Sequence, residues 1–251
     1  MKDTSGGTRP IALVTATRKE MKAVVDHRWQ GISLGVNCPQ QIRWGSRLCI
    51  LVITGIGPVN AALSLGQLLG TGLDLAGVLN LGIAGSFHTQ RIPLGTVVRV
   101  ETEIWPEFGL YTEQGLDPQG LGLGQGRIQK RVVWERLSLN PNGAARDMGL
   151  KLDPKWPAVT SISVAGVSGT PERAHELHSR TRAEVENMEG FALAWASALH
   201  GLPFLQIRSI SNRVGFRGPE EWNMNLAFSS LRRAAKQLLG QDKDLLPGEG
   251  Q

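Results

Sequence analysis

At 251 residues, with 41% hydrophobic and 20% charged residues, the chain is long enough to bury a full core and has an enzyme-like composition, not a disordered or fibrous one. Its two cysteines, Cys38 and Cys49, give neither a disulfide framework nor a cysteine-built zinc site, and point to a reducing, cytoplasmic setting. The net charge of +5 permits a nucleic-acid partner, but the basic residues are scattered and there is a single tyrosine, so no basic stripe interleaved with stacking aromatics exists; a modest positive field equally suits an anionic small substrate.

The polar start, residues 1–9, reads as a flexible segment, and the apolar run after it is too short for a signal peptide or a membrane span. No later stretch reaches membrane length without charges, so no membrane partner is expected. Pro10 to Ala16 reads as a buried strand, and Arg47 to Gly57 as a second one running into a glycine turn. Pro58 to Leu69 is a helix with proline in its first turn. Leu75 to Phe87 repeats the pattern of apolar strand and small-residue turn, and Gly95 to Glu103 alternates like a half-buried strand. From Gln114 to Pro157 the pattern degrades into Gly, Pro and Asn, which reads as long loops with a short helix at Ala144 to Gly149.

Order returns with a strand and glycine turn over Ala158 to Thr170 and a helix over Pro171 to Arg180. A mostly apolar helix spans Asn187 to His200, a buried strand Gly201 to Ile207, and a last helix Pro219 to Leu239, followed by a polar tail at 241–251. Strands alternating with helices predict one α/β domain over 10–240: three layers around a twisted, mixed, mostly parallel sheet.

Four strand ends carry the chemistry. "TGIGPVNAA", with Gly57 before a helix start, reads either as an anion-cradling turn or as a plain tight turn. In "VENMEG", Glu189 precedes an apolar helix; it is either a helix-terminal partner or a carboxylate able to accept two hydrogen bonds from a vicinal diol, while Glu186 reads as the helix cap. Glu20, in "TATRKEM", follows the first strand and taken alone is an ordinary surface charge. In "RSISN", Asn212 sits just past a buried strand, where α/β proteins bind ligands, though an asparagine there can also simply start a turn.

Taken together these segments, with "NLGIAGS", resemble the nucleoside phosphorylase and nucleosidase superfamily. They occur in family order across nearly the whole chain, with Gln114 to Pro157 unmatched, and within the superfamily the resemblance is to the futalosine hydrolase branch, next to the methylthioadenosine/adenosylhomocysteine nucleosidases. The resemblance implies a nucleoside phosphorylase-type fold and a catalytic pair: Glu20 activates the attacking water and Asn212 faces the purine. It also implies that Glu189 binds the ribose hydroxyls, with Met188 packed on the sugar. Ala84 and Gly85 would line the sugar and nucleophile site, the backbone at Val167 would close over the base, and Gly57 and Ser211 complete the substrate-binding set.

No cofactor and no metal are implied, and a homodimer or larger homo-oligomer is. A phosphorylase needs donors for a phosphate dianion. The segment Asn80 to Ala84 has no Arg or Thr, which favours water as the nucleophile, although Arg18 is a basic residue on the first loop. An amide at 212 offers a donor and an acceptor and so complements a 6-oxopurine, which points to hypoxanthine as the base. Arg217 is a candidate partner for a carboxylate on the 5′ substituent. The alternatives left open are a methylthioadenosine/adenosylhomocysteine nucleosidase, a purine nucleoside phosphorylase and a non-catalytic nucleoside-binding protein.

Overall fold

The computed structural model describes residues 9–26 and 35–240. The segment 1–8 and the tail 241–251, for which the sequence suggested a flexible start and a polar end, lie outside the described residues. In chain order the elements begin with β1 (Ile11–Thr15), α1 (Arg18–Val25), the hairpin of β2 (Gln40–Trp44) and β3 (Arg47–Ile53), α2 (Pro58–Gly70), β4 (Gly77–Ser86) and β5 (Val97–Ile104). Two small hairpins follow, β6 (Leu110–Thr112) with β7 (Gly115–Asp117) and β8 (Gly126–Ile128) with β9 (Arg131–Val133), then β10 (Arg136–Ser138) and α3 (Pro141–Asp147). The chain continues through β11 (Ala158–Ser163), α4 (Pro171–Thr181), β12 (Val185–Asn187), α5 (Gly190–Leu199), β13 (Phe204–Arg213) and α6 (Met224–Leu239).

β1, β3 and β4 run parallel, because each is apolar along most of its length and is buried on both faces. One core packs α1, α3 and α6 on one face of the sheet; a second packs α2 and α5 on the other. The result is the three-layer α/β arrangement with a mixed nine-stranded sheet. β13 lies parallel to β4 and antiparallel to β5, while β12 and β11 bridge β4 to β5 by the other route. Five strands therefore close on themselves.

Several expectations change. Gln114 to Pro157 is not mainly loop: it forms short hairpins and β10, which joins the main sheet beside β5. Three-residue strands carry too few side chains to show a period, and the helix there begins at Pro141, capped by Asn140, three residues before the expected start. The helix expected from Asn187 begins at Gly190, because Val185–Asn187 pairs with both β11 and β4 as a strand. The segments "NLGIAGS" and "RSISN" are not turns but the ends of long strands, β4 and β13, whose mutual pairing runs through Arg213. The last helix is broken: Pro219–Glu221 is a separate 3-10 turn, and Asn223 starts α6 afresh by accepting from the Leu226 N–H.

Gly190, at the start of α5, is the point where that helix comes closest to the closed strands. A Cβ there would overlap the Glu103 carboxylate and the Gln206 amide, both fully buried. Gly190→Ala is expected to destabilise the protein by about 1–3 kcal/mol through overpacking, lowering the melting temperature by several degrees; an unchanged melting curve would show that the contact is not there.

Candidate active site

The loop from β1 into α1 supplies the first acidic group. Thr17 caps α1, and Glu20, three residues on, completes a capping box: the Thr17 N–H and hydroxyl donate to Glu20 Oε2 at 2.9 and 2.8 Å. The other oxygen, Oε1, accepts from the Ile83 N–H on β4 at 3.0 Å. The helix-start role and the site role therefore coexist. Glu20 is 4% exposed, so it is not the surface charge its flanking Arg18 and Lys19 suggested.

Behind this group lies Arg208, the largest fully buried side chain among the described residues, 1% exposed, on β13. Its guanidinium passes over Gly82, where an added Cβ would overlap Arg208 Nη1 and stand 2.9 Å from Glu20 Oε1. Glycine at 82 is what lets the two charges approach. Arg208 makes a 3.3 Å bond from Nη2 to Asn187 Oδ1, and its Nε has no hydrogen-bond partner among the described residues. The expectation that β4 itself carries no cation holds for Asn80 to Ala84; the fold brings one to the back of that strand from β13, off the cavity surface.

Glu189 is the second acidic group, 6% exposed and in the N-cap position of α5, yet it makes no side-chain cap. Its Oε1 accepts the Gly57 N–H at 2.9 Å, at the start of α2. The turn at Gly57 is thus an anion cradle, and the anion it holds is a carboxylate of the same chain. Burial pushes the Glu189 carboxyl above its ordinary range; Arg208 and the Gly57 N–H oppose this, and the charge of Glu20 adds to the rise. Asn187 fixes the backbone alongside, its Oδ1 accepting from the Glu189 and Gly190 N–H groups at 2.9 and 2.7 Å.

Glu186 is not a helix cap. It lies on β12 and takes both the N–H and the hydroxyl of Ser168, at 2.9 and 2.6 Å. This ties down the loop that carries Val167, and burial raises the Glu186 carboxyl while the Ser168 bonds lower it.

These groups border one cavity of about 290 Å³. Of the predicted set, Glu20, Ala84, Gly85, Val167, Met188, Glu189, Ser211 and Asn212 line it, whereas Gly57 stands behind, acting through Glu189. The far wall is apolar, from Ile56, Trp222, Met224 and Phe228. Asn212 is strand, not turn: a bulge skips Ser211 so that Asn212 pairs with Gly85. Its Oδ1 accepts from Ser211 and its Nδ2 donates to the Arg213 carbonyl, so the chain orients the amide and one of its N–H groups stays uncommitted among the described residues. Arg217 is outside the lining, its guanidinium 4.9 Å above the Trp222 ring; the lining cation is Lys19. Sequence reasoning passed over Arg208, Asn187 and Glu103, although an arginine inside the apolar run "FLQIRSI" is a readable signal, since arginine is rarely buried unpaired. Among the described residues no group of His, Cys, Asp and Glu is placed to hold a metal ion, and no helix is long and apolar enough to cross a membrane.

The arrangement can hold a sugar between two carboxylates, one with a free lone pair towards the cavity, and a planar ring against Asn212. Comparison with known proteins bears on this geometry. A futalosine hydrolase from Thermus thermophilus is 35% identical over 195 residues, covering 75% of this chain and 80% of that protein. The native structure of futalosine hydrolase from Helicobacter pylori superposes with a TM-score of 0.67 at 21% identity, over 92% of this chain and 96% of that one. A 5′-methylthioadenosine/S-adenosylhomocysteine nucleosidase from the same organism gives 0.69 at 20%, over 92% and 96%. At such identities the two structures speak for the fold. The sequence model of the phosphorylase superfamily matches residues 10–240, and the chain belongs to that superfamily.

Proposed function

We propose that the chain is a nucleosidase that hydrolyses the N-glycosidic bond of futalosine, releasing hypoxanthine and dehypoxanthine futalosine for menaquinone biosynthesis. The observation that carries this reading is that two buried carboxylates, Glu20 and Glu189, face one cavity together with the amide of Asn212, in a chain 35% identical to a futalosine hydrolase. Glu189 takes the ribose hydroxyls, Met188 packs on the sugar, and Glu20 accepts a proton from the attacking water. N-glycosidic cleavage passes through an oxocarbenium-like state, and two carboxylates beside it stabilise the positive charge as it develops.

Water is favoured over phosphate by the charge of the lining. Glu20, Glu186 and Glu189 face the cavity against the single lining cation Lys19 among the described residues, so a phosphate dianion would be repelled. Arg208 offsets part of that field from behind Gly82. Lys19 takes the place first considered for Arg217 as the partner of an anionic 5′ substituent, whose apolar portion would meet Trp222 and Phe228. Ile56 and Val59 are 57% and 79% exposed at the start of α2, near the mouth, and support a homo-oligomer in which a second copy covers them. The low cysteine content supports a cytoplasmic location.

The reading is tested by assaying a panel of purine nucleosides with and without phosphate. Futalosine should release hypoxanthine at the same rate in both, with dehypoxanthine futalosine, bearing a free anomeric hydroxyl, as the second product; a phosphate requirement with a 1-phosphorylated sugar product would overturn hydrolysis. Base selection is tested with futalosine and its 6-amino counterpart. Mismatched polar groups cost about 1–3 kcal/mol each, so two mismatches give the wild type a preference of roughly 10²–10⁴-fold in kcat/KM for the oxo substrate. Asn212→Asp should erode that ratio, because a protonated aspartate can donate to a ring nitrogen while accepting from the amino group. An unchanged ratio would mean that Asn212 does not read the base.

A further inference from the structure

Glu103 does not line the cavity that Glu20 and Glu189 face. It sits on β5 inside the five closed strands, fully buried, and everything that touches its carboxylate donates to it: Asn187 Nδ2 at 2.8 Å and Gln206 Nε2 at 2.6 Å on Oε1, and the Ser163 hydroxyl at 2.9 Å on Oε2. Burial disfavours a carboxylate there, and among the described residues the charge of Arg208 and the donated hydrogen bonds offset it. A fold gains little from placing such a group where an apolar side chain would pack as well. Its position makes sense through Asn187.

The Asn187 amide is pinned at both ends. Nδ2 is held by Glu103, Ser161 and the Ile162 carbonyl, which fixes the direction of Oδ1. Oδ1 in turn receives the N–H groups of Glu189 and Gly190 and the Nη2 of Arg208. If the amide reversed, three donors would face an NH2 group. Ser163 adds a second tether, since its oxygen accepts the Phe191 N–H in the first turn of α5. Gln206 continues the chain of amides to Asn80 on β4.

We infer that Glu103 is a positioning residue for the nucleosidase reaction: through Asn187 it sets the place of the Arg208 guanidinium and of the backbone that presents Glu189 to the ribose. The inference rests on the nucleosidase reading above. A residue that merely fills the core would change the melting temperature and leave the turnover of the folded protein alone; a positioning residue changes kcat.

The test compares Glu103→Ala, Asn187→Asp and the exchanged pair Glu103→Gln with Asn187→Asp. Asn187→Asp alone sets two carboxylates against each other where the 2.8 Å hydrogen bond now lies. In the exchanged pair, the amide introduced at position 103 donates to the carboxylate introduced at position 187. That carboxylate still accepts from Arg208 and both N–H groups, the Ser161 hydroxyl can turn to donate to it, and the Gln206 and Asn80 amides can reverse to match. The Ile162 carbonyl, which accepts from Asn187 Nδ2 at 3.0 Å, loses its donor in Asn187→Asp and in the exchanged pair alike, so the comparison between them isolates the contact with position 103. Each single variant should lose roughly 10- to 100-fold in kcat for base release, the scale of a small displacement in a site, with KM changed far less. The exchanged pair should recover to within about tenfold of wild type, the coupling expected of residues in direct contact. Wild-type kcat in either folded single variant would overturn the inference, and so would an exchanged pair no better than Asn187→Asp. If Asn187→Asp does not fold, the exchanged pair decides: it must fold and turn over, and its failure overturns the inference. Absence of base release by the wild type would instead count against the nucleosidase reading itself.

Discussion

A guanidinium almost wholly removed from water stands where β13, β4 and β12 meet. Burying an ion costs on the order of several kcal/mol unless charge and hydrogen bonds answer it. Among the described residues Arg208 has no direct ion pair within bonding distance, and its one side-chain bond is to Asn187. It is balanced instead by the field of the carboxylates set around it: Glu103 and Glu189 both feel its charge, and Glu20 converges with it on Gly82. Each of those acids is in turn costly to bury without the cation. The cluster holds together only as a set, and this requirement places the two carboxylates that face the cavity.

The strand ends explain how the set is assembled. β4 and β13 run side by side beyond the point where most parallel strands would turn away, and a bulge before Asn212 re-aims that side chain into the cavity. β12, only three residues long, carries Glu186 and Asn187 into the same region from the opposite direction. Backbone amides complete the arrangement. Ile83 and Gly57 each donate to one oxygen of a cavity carboxylate, and Thr17 holds the other oxygen of Glu20, so Glu20 and Glu189 keep fixed orientations at the cavity. A site fixed this way needs little reorganisation when positive charge develops between the two acids.

Much of this was legible in the sequence, and what was not has a physical reason. Long apolar strands and helices such as α2 and α4 announce themselves through period and through proline at their starts, with a capping threonine as well before α4. The short strands β6 to β10 and β12 do not, because three residues show no period, and for β10 and β12 the pairing partners lie far away in sequence. Glu20, Glu189 and Asn212 were found by their place at strand ends within an ordered family pattern. Reading "NLGIAGS" as a turn was wrong, and the turn left open for "RSISN" is strand as well, since nothing local in either segment reveals that the two pair with each other. Glu103 lies near the end of a strand that alternates in sequence; the irregularity that skips Glu101 in the β5–β11 pairing turns it to the inner side, which nothing local in the sequence reveals. Arg217 was near the site in sequence but faces Trp222 from outside.

The central claim is that one buried cation opposes the effect of burial on Glu189, a carboxylate that faces the cavity. It is tested most directly by the pH dependence of kcat/KM for base release in the wild type and in Arg208→Gln. Burial raises the Glu189 carboxyl and Arg208 lowers it, and in the proposed reaction the ionised form is the one that would accept from the ribose hydroxyls. Activity should therefore fall as pH drops through a wild-type acid limb lying above 4.5, the ordinary glutamate value. Without the cation the burial effect is less opposed, so the limb of Arg208→Gln should move to higher pH and the maximum should fall. A variant limb that coincides with the wild-type limb, or lies below it, would contradict the account.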